Sequence, residues 1–223
     1  MRKLRWFFIL ACGLAPVSGS AGADGQAYYN SLNCSACHRI GHRGGSSAPD
    51  LTLVGLRHNR RWLDAWLKNP SAWKKDALMP DPRLADKTRQ AMVDYLASLK
   101  GEAFGSAAPW NSPKLRFDPV GRGKIIYERA GCIACHGKDG RNGAPNNNVA
   151  DGRIPALNGV SQTYTKGELI KLIIRGKTPE RRDPNGPEPL IAMPAWGQVL
   201  KEEDLEAVIE YLFSLRPDST PDF

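Results

Sequence analysis

Cys132-Ile133-Ala134-Cys135-His136 and, 98 positions earlier, Cys34-Ser35-Ala36-Cys37-His38 are two copies of one pattern, Cys-x-x-Cys-His. The pattern is that of c-type haem attachment: two thiols spaced to bond the two vinyl groups of one porphyrin, with the adjacent histidine beneath the iron. Two copies predict two covalent haem c groups. The same Cys-x-x-Cys spacing serves zinc ribbons and dithiol redox pairs. Here the motifs consume Cys34, Cys37, Cys132 and Cys135, and the fifth cysteine, Cys12, lies in an N-terminal segment that reads as an export signal. A four-cysteine zinc site is the competing reading; it leaves His38 and His136 unexplained and needs two distant segments to meet.

Outward from the motifs the copies continue. Gly25, Tyr29, Cys34, Cys37 and His38 recur as Gly123, Tyr127, Cys132, Cys135 and His136, each displaced by 98 positions. With gaps, Pro49-Asp50-Leu51 answers Pro155-Ala156-Leu157, Leu63 answers Leu169, and Met79-Pro80 answers Met193-Pro194. Tyr95-Leu96-Ala97-Ser98-Leu99 answers Tyr211-Leu212-Phe213-Ser214-Leu215. This is a tandem duplication. It divides the chain into a signal peptide at 1–23, a first domain at 24–101, a linker at 102–118, a second domain at 119–216 and a tail at 217–223. Gly101 to Pro119 is rich in Gly, Ala, Ser and Pro without a sustained apolar period, hence the linker.

Arg2, Lys3 and Arg5 precede a mostly apolar run from Trp6 to Val17, and Ala21-Gly22-Ala23 is a small-residue cleavage site before Asp24. The run is shorter than the roughly 20 residues that span a bilayer. It reads as cleaved, with acylation at Cys12 and an uncleaved anchor as the alternatives. Cleavage removes three basic residues and no acidic one, lowering the net charge from +8 to +5. So small an excess, mixed evenly with acids, argues against nucleic acid as a partner. Lys74-Lys75 and Arg181-Arg182 read as solvated surface.

The apolar periodicity is helical. Asp86 is placed to cap a helix carrying Met92, Tyr95, Leu96 and Leu99 on one face, and Leu205, Val208, Ile209, Leu212 and Leu215 share a face near the C-terminus. Asn59 is placed to cap a helix with Trp62, Leu63, Trp66 and Leu67, ending before Pro70. Thr165-Lys166-Gly167-Glu168 has the form of a capping box. No alternating run is long enough to predict a sheet. Domains of this size have small cores, so a buried porphyrin is also expected to complete the apolar interior.

On these residues the chain resembles the class I cytochrome c family, and in layout its two-domain, dihaem members of the cytochrome c4 type. The resemblance implies an all-α fold of two tandem domains, each a small helical fold wrapped around one haem. It places His38 and His136 as proximal ligands, with the carbonyls of Pro49 and Pro155 orienting their rings. Met79 and Met193, each before a proline that favours an extended backbone, take the distal positions. Met92 falls on an apolar helix face and reads as core. His42 and His58 read as surface or supporting residues, although His58 near a helix start is a possible substitute for Met79. Gly25 with Tyr29 and Tyr95, and Gly123 with Tyr127 and Tyr211, match the family's crossing of first and last helices. Trp62, Trp66 and Trp196 are either haem-edge or core aromatics. Two departures stand out: Arg39 follows the first motif where Gly137 follows the second, and Lys138 to Ile154 adds a loop rich in Asn and Gly. That loop reads as solvated, or else as a partner surface or a cover for the haem edge.

The resemblance implies a periplasmic carrier of single electrons rather than an enzyme. The implied donor is a quinol-oxidising or dehydrogenase complex and the implied acceptor a terminal oxidase or reductase, with membrane association through these partners. A dihaem peroxidase would need an open or displaceable iron ligand, and two matched methionines argue against it. A sensor would need a signalling domain. A fixed cytochrome subunit of a larger oxidoreductase would use the same ligands and differ only in permanent association.

Overall fold

The computed structural model describes residues 21–105 and 107–217. The export segment expected at 1–23 lies outside the described residues except for its last three, which begin the first helix. In the tail, 218–223 lie outside them too.

In chain order, α1 (Ala21–Ser31) leads through a 3-10 turn at Cys34–Ala36 and a small hairpin, β1 (Arg39–Ile40) and β2 (Arg43–Gly44), to α2 (Val54–Arg57) and α3 (Arg60–Lys68). Then follow α4 (Pro70–Trp73) and α5 (Asp86–Ser98). Short 3-10 turns from Glu102 to Leu115 precede α6 (Pro119–Ile126), which runs through a π-turn at Tyr127–Gly131 into α7 (Cys132–His136). The second half ends with α8 (Val160–Thr163), α9 (Lys166–Arg175) and α10 (Glu202–Ser214). The fold is all-α. The hairpin, pairing Arg39 with Gly44 and Ile40 with Arg43, is the one sheet among the described residues and was not expected from the sequence.

Helix boundaries follow local chemistry. The Asn59 side chain accepts from Trp62 N–H at 2.9 Å and starts α3, and Asn69 does the same for α4 at Ala72 N–H. Thr165 and Glu168 close the expected capping box at the start of α9. Asp86 does not cap α5. It is the first helical residue after Ala85, and its carboxylate instead accepts from Arg89 at 2.7 Å, an i,i+3 pair.

In each half the first long helix crosses the last, α1 over α5 and α6 over α10. A Cβ at Gly25 would collide with the Ala91 carbonyl and the Tyr95 Cβ; one at Gly123 would meet the Ala207 carbonyl and the Tyr211 Cβ. Glycine therefore permits the approach. Tyr29 and Tyr95 fill the first crossing with ring centroids 5.9 Å apart, and Tyr127 and Tyr211 fill the second at 5.3 Å. Met92 is a buried core residue, as expected.

The segment expected as a linker is well packed. Phe104 and Trp110 are buried in the apolar cluster of the second half, ring edge to face at 5.1 Å, and Leu53 of the first half joins the same cluster. Polar bonds complete the junction: Arg129 pairs with the Asp50 carboxylate at 2.6 Å and donates to the Gly41 carbonyl at 2.6 Å. Asn59 donates to the Leu190 carbonyl at 3.1 Å.

Candidate functional site

In both halves the motif histidine is held by one contact. His38 Nδ1 lies 2.8 Å from the Pro49 carbonyl and His136 Nδ1 lies 2.8 Å from the Pro155 carbonyl. A carbonyl only accepts, so each Nδ1 carries the proton and each Nε2 keeps its lone pair for a metal. Burial holds both rings below the usual histidine range, against the pull of those carbonyls, so the neutral, metal-competent form prevails at neutral pH. The buried tyrosines brace the same turns. Tyr29 donates to the His38 carbonyl at 3.0 Å and Tyr127 to the Gly137 carbonyl at 2.7 Å.

The four motif cysteines form no disulfide. Burial pushes the Cys132 thiol up to about 12 and also raises Cys135 and Cys34. A zinc site or a dithiol nucleophile wants thiolates. Among the described residues no three Cys, His, Asp or Glu side chains gather as a metal-binding group, so the two cysteine pairs do not converge.

Cys132, Cys135, His136 and Met193 do converge, on one cavity of about 440 Å³ whose walls are largely apolar and include Trp196 and Leu212. That volume is in the range of small-molecule and cofactor sites. Two thiols, an imidazole and a thioether around one apolar cavity fit the donor set that a covalent porphyrin would need. In the first half, Cys34 and Met79 pack against one buried cluster together with Ile40, Leu51 and Trp62. Trp66 donates its indole N–H to the Met79 sulfur at 3.0 Å. Beside it Trp62 stacks between Trp66, at 5.2 Å, and His58, at 3.6 Å. The Trp62 indole N–H, a donor, and His58 Nδ1 are buried without a partner, polar atoms suited to a propionate-bearing group. His58 is thus no surface residue: it is 6% exposed, and burial holds it well below the usual histidine range. His42 is exposed, with Nε2 3.4 Å from the Phe104 carbonyl.

The added loop of the second half has a definite task. Asn146 donates to the Ile191 carbonyl at 2.8 Å and accepts from Ile191 N–H at 3.2 Å. Asn147 treats the next segment alike, donating to Glu188 O at 2.8 Å and accepting from Leu190 N–H at 2.7 Å. Asn148 donates to Asp183 O and Pro187 O and accepts from Asp183 N–H. Three consecutive side-chain amides thus act as substitute backbone partners for the stretch that delivers Met193. At its far end Met193 itself bridges to Lys177 through both backbone groups, at 2.9 and 3.0 Å. The richness of this loop in Asn is visible in the sequence, but the segment it holds is not. Its one visible signal was the run Asn146-Asn147-Asn148 itself.

The comparisons agree with this geometry. Residues 22–100 match the family described as "Cytochrome c", and residues 118–212 match that described as "Cytochrome C oxidase, cbb3-type, subunit III". A curated relative, cytochrome c oxidase subunit 2 of Alkalihalophilus pseudofirmus, is 29% identical over 86 residues, 34% of this chain and 25% of the relative. The chain thus spans about a quarter of the length of the curated relative it matches. No solved structure matches significantly.

Proposed function

We propose, on the premise that both halves of the chain are cytochrome c domains and that together they carry two covalent haem c groups, that this protein is an exported relay between membrane redox complexes. The donor is a quinol-oxidising or dehydrogenase complex and the acceptor a terminal oxidase or reductase, in the periplasm. Haem c supplies a one-electron ferric/ferrous couple when bound.

The observation that supports this reading most is the ligand set. Each half holds a histidine ring with a fixed proton, through Pro49 or Pro155; in the second half it shares one apolar cavity with Met193, and in the first Met79 packs with Cys34 on one apolar cluster. Cys34, Cys37, Cys132 and Cys135 provide the attachment. With histidine and methionine both committed, no position remains for a substrate, which favours transfer over catalysis. Apolar walls exclude water, so little solvent must reorganise when charge changes. The thioether favours the reduced state relative to a second imidazole.

The test is the sulfur-to-iron charge-transfer band of the oxidised protein, scaled to its covalent haem content. Intensity for two methionine-ligated haems is expected. Intensity for one or none would sink the closed relay and bring peroxidase chemistry forward. A second reading, a fixed subunit of an oxidase, is favoured by the likeness of residues 118–212 to an oxidase subunit family and by the oxidase relative. Copurification with an oxidase from native membranes under mild conditions would support it; purification always as a free chain would remove it.

A further inference from the structure

The residue that the duplication does not explain is Arg57. It ends α2 in the first half, yet it lines the cavity of the second half beside Cys132 and Cys135. It is 5% exposed. Its guanidinium donates to the Asp50 carbonyl at 2.6 Å and to the Gly131 carbonyl, just before Cys132, at 3.2 Å. Its Nε is buried without a partner. Gly131 is shaped around it: the backbone there has φ +90°, and a Cβ would run into the guanidinium.

Among the described residues no carboxylate pairs with this cation. The nearby Asp50 carboxylate is committed to Arg129 at 2.6 Å, and to Thr52 through its N–H at 2.8 Å and hydroxyl at 2.5 Å. With Arg57, Asp50 and Arg129 counted together, the junction keeps one net positive charge away from water. A buried cation with bare carbonyl partners is costly.

We propose that Arg57 belongs to the second haem's site although the first domain supplies it, and that its charge sets that haem's reduction equilibrium. The proposal rests on the haem assignment above. Reduction adds one electron and no proton to the site, so a fixed cation favours the reduced form. A unit charge about a haem's width away, at an effective dielectric of about 20, changes such an equilibrium about tenfold. The first domain is therefore needed for the second haem's potential, and electrons in the pair are biased toward the second half. Arg57 also lies within electrostatic reach of His38, so an effect of the same sign is expected at the first haem.

The experiment is a spectroelectrochemical titration of the full dihaem chain, the electrode supplying one electron per haem, with each step assigned by its haem methyl resonances. Arg57→Gln is expected to weaken reduction of the second haem about tenfold, about 59 mV for a one-electron couple. Arg57→Lys, which keeps the charge but not the paired bonds, is expected to stay within about threefold of wild type. Asp50→Asn, which removes the counter-charge, is expected to shift the equilibrium the other way. A second-haem shift under about twofold in Arg57→Gln, or equal shifts in Arg57→Gln and Arg57→Lys, would overturn the proposal, the latter marking a packing role. If Arg57→Gln fails to take up both haems, Asp50→Asn decides: a rise supports the proposal, and no change or a fall overturns it. A wild-type chain that binds fewer than two haems would refute the haem assignment instead.

Discussion

Replacing Asn146 by alanine is expected to free the segment that carries Met193. The side chain is 6% exposed and satisfies both backbone groups of Ile191, itself 4% exposed and two residues before the methionine. Truncation leaves one donor and one acceptor buried and unpaired, each costing about 1–3 kcal/mol. With some relief from entering water, the closed segment loses about 3 kcal/mol. At about 1.4 kcal/mol per tenfold, opening becomes over a hundredfold easier. The assay is competition by added imidazole for the oxidised second haem, followed by loss of its sulfur-to-iron band. The variant is expected to bind imidazole about a hundredfold more tightly at that haem, with the first haem unchanged. A change under about threefold, in a chain that keeps both haems, would refute the clamp and leave the stiffness of the segment to Pro187, Pro189 and Pro194.

Three further outcomes are expected. Gly123→Ala drives a methyl into the Ala207 carbonyl and the Tyr211 Cβ and should cost about 3 kcal/mol in denaturant unfolding of the second half; a cost under about 1 kcal/mol would mean the helices can part cheaply. Thr165→Ala removes the cap of α9 and should lower stability by about 1 kcal/mol, as read from the same curves. His58 is held neutral by burial, so its folded pKa lies below the unfolded value of about 6.5. Below that pH the unfolded chain binds the extra proton, and stability is lost as pH falls. From pH 7 to 5 the wild type should lose about 2 kcal/mol more than His58→Phe, which keeps the stack on Trp62; parallel pH curves would show that His58 takes up its proton as readily in the fold as in the unfolded chain.

The motifs, the duplication and the paired Gly–Tyr crossings were legible because each is a local or strictly repeated signal. Cys-x-x-Cys-His is read within five residues, Asn59 and Thr165 cap backbone groups three residues away, and the 98-residue displacement repeats Gly25 and Tyr29 as Gly123 and Tyr127. Where a local signal misled, a nearby partner outcompeted the expected one: Asp86 serves Arg89 rather than the helix end. His58, polar and beside a cap, read as either a surface or a supporting residue, and the fold decides for the second. Its ring is sheltered by Trp62, which only the fold of α3 brings above it.

By itself the sequence determined the chemistry of the cofactor sites, because covalent attachment needs thiols and imidazole at one short spacing and the chain states that spacing twice. Tertiary structure alone decided what packs around those sites. Asn146 meets Ile191 across 45 positions and Asn148 meets Asp183 across 35; Arg57 reaches Gly131 across 74 and Arg129 reaches Asp50 across 79. Such contacts leave no period and no motif. A buried amide or guanidinium takes whichever carbonyl the packed chain sets within about 3 Å, and that partner exists only once the second half has folded or, for Arg57 and Arg129, once the two halves have packed together.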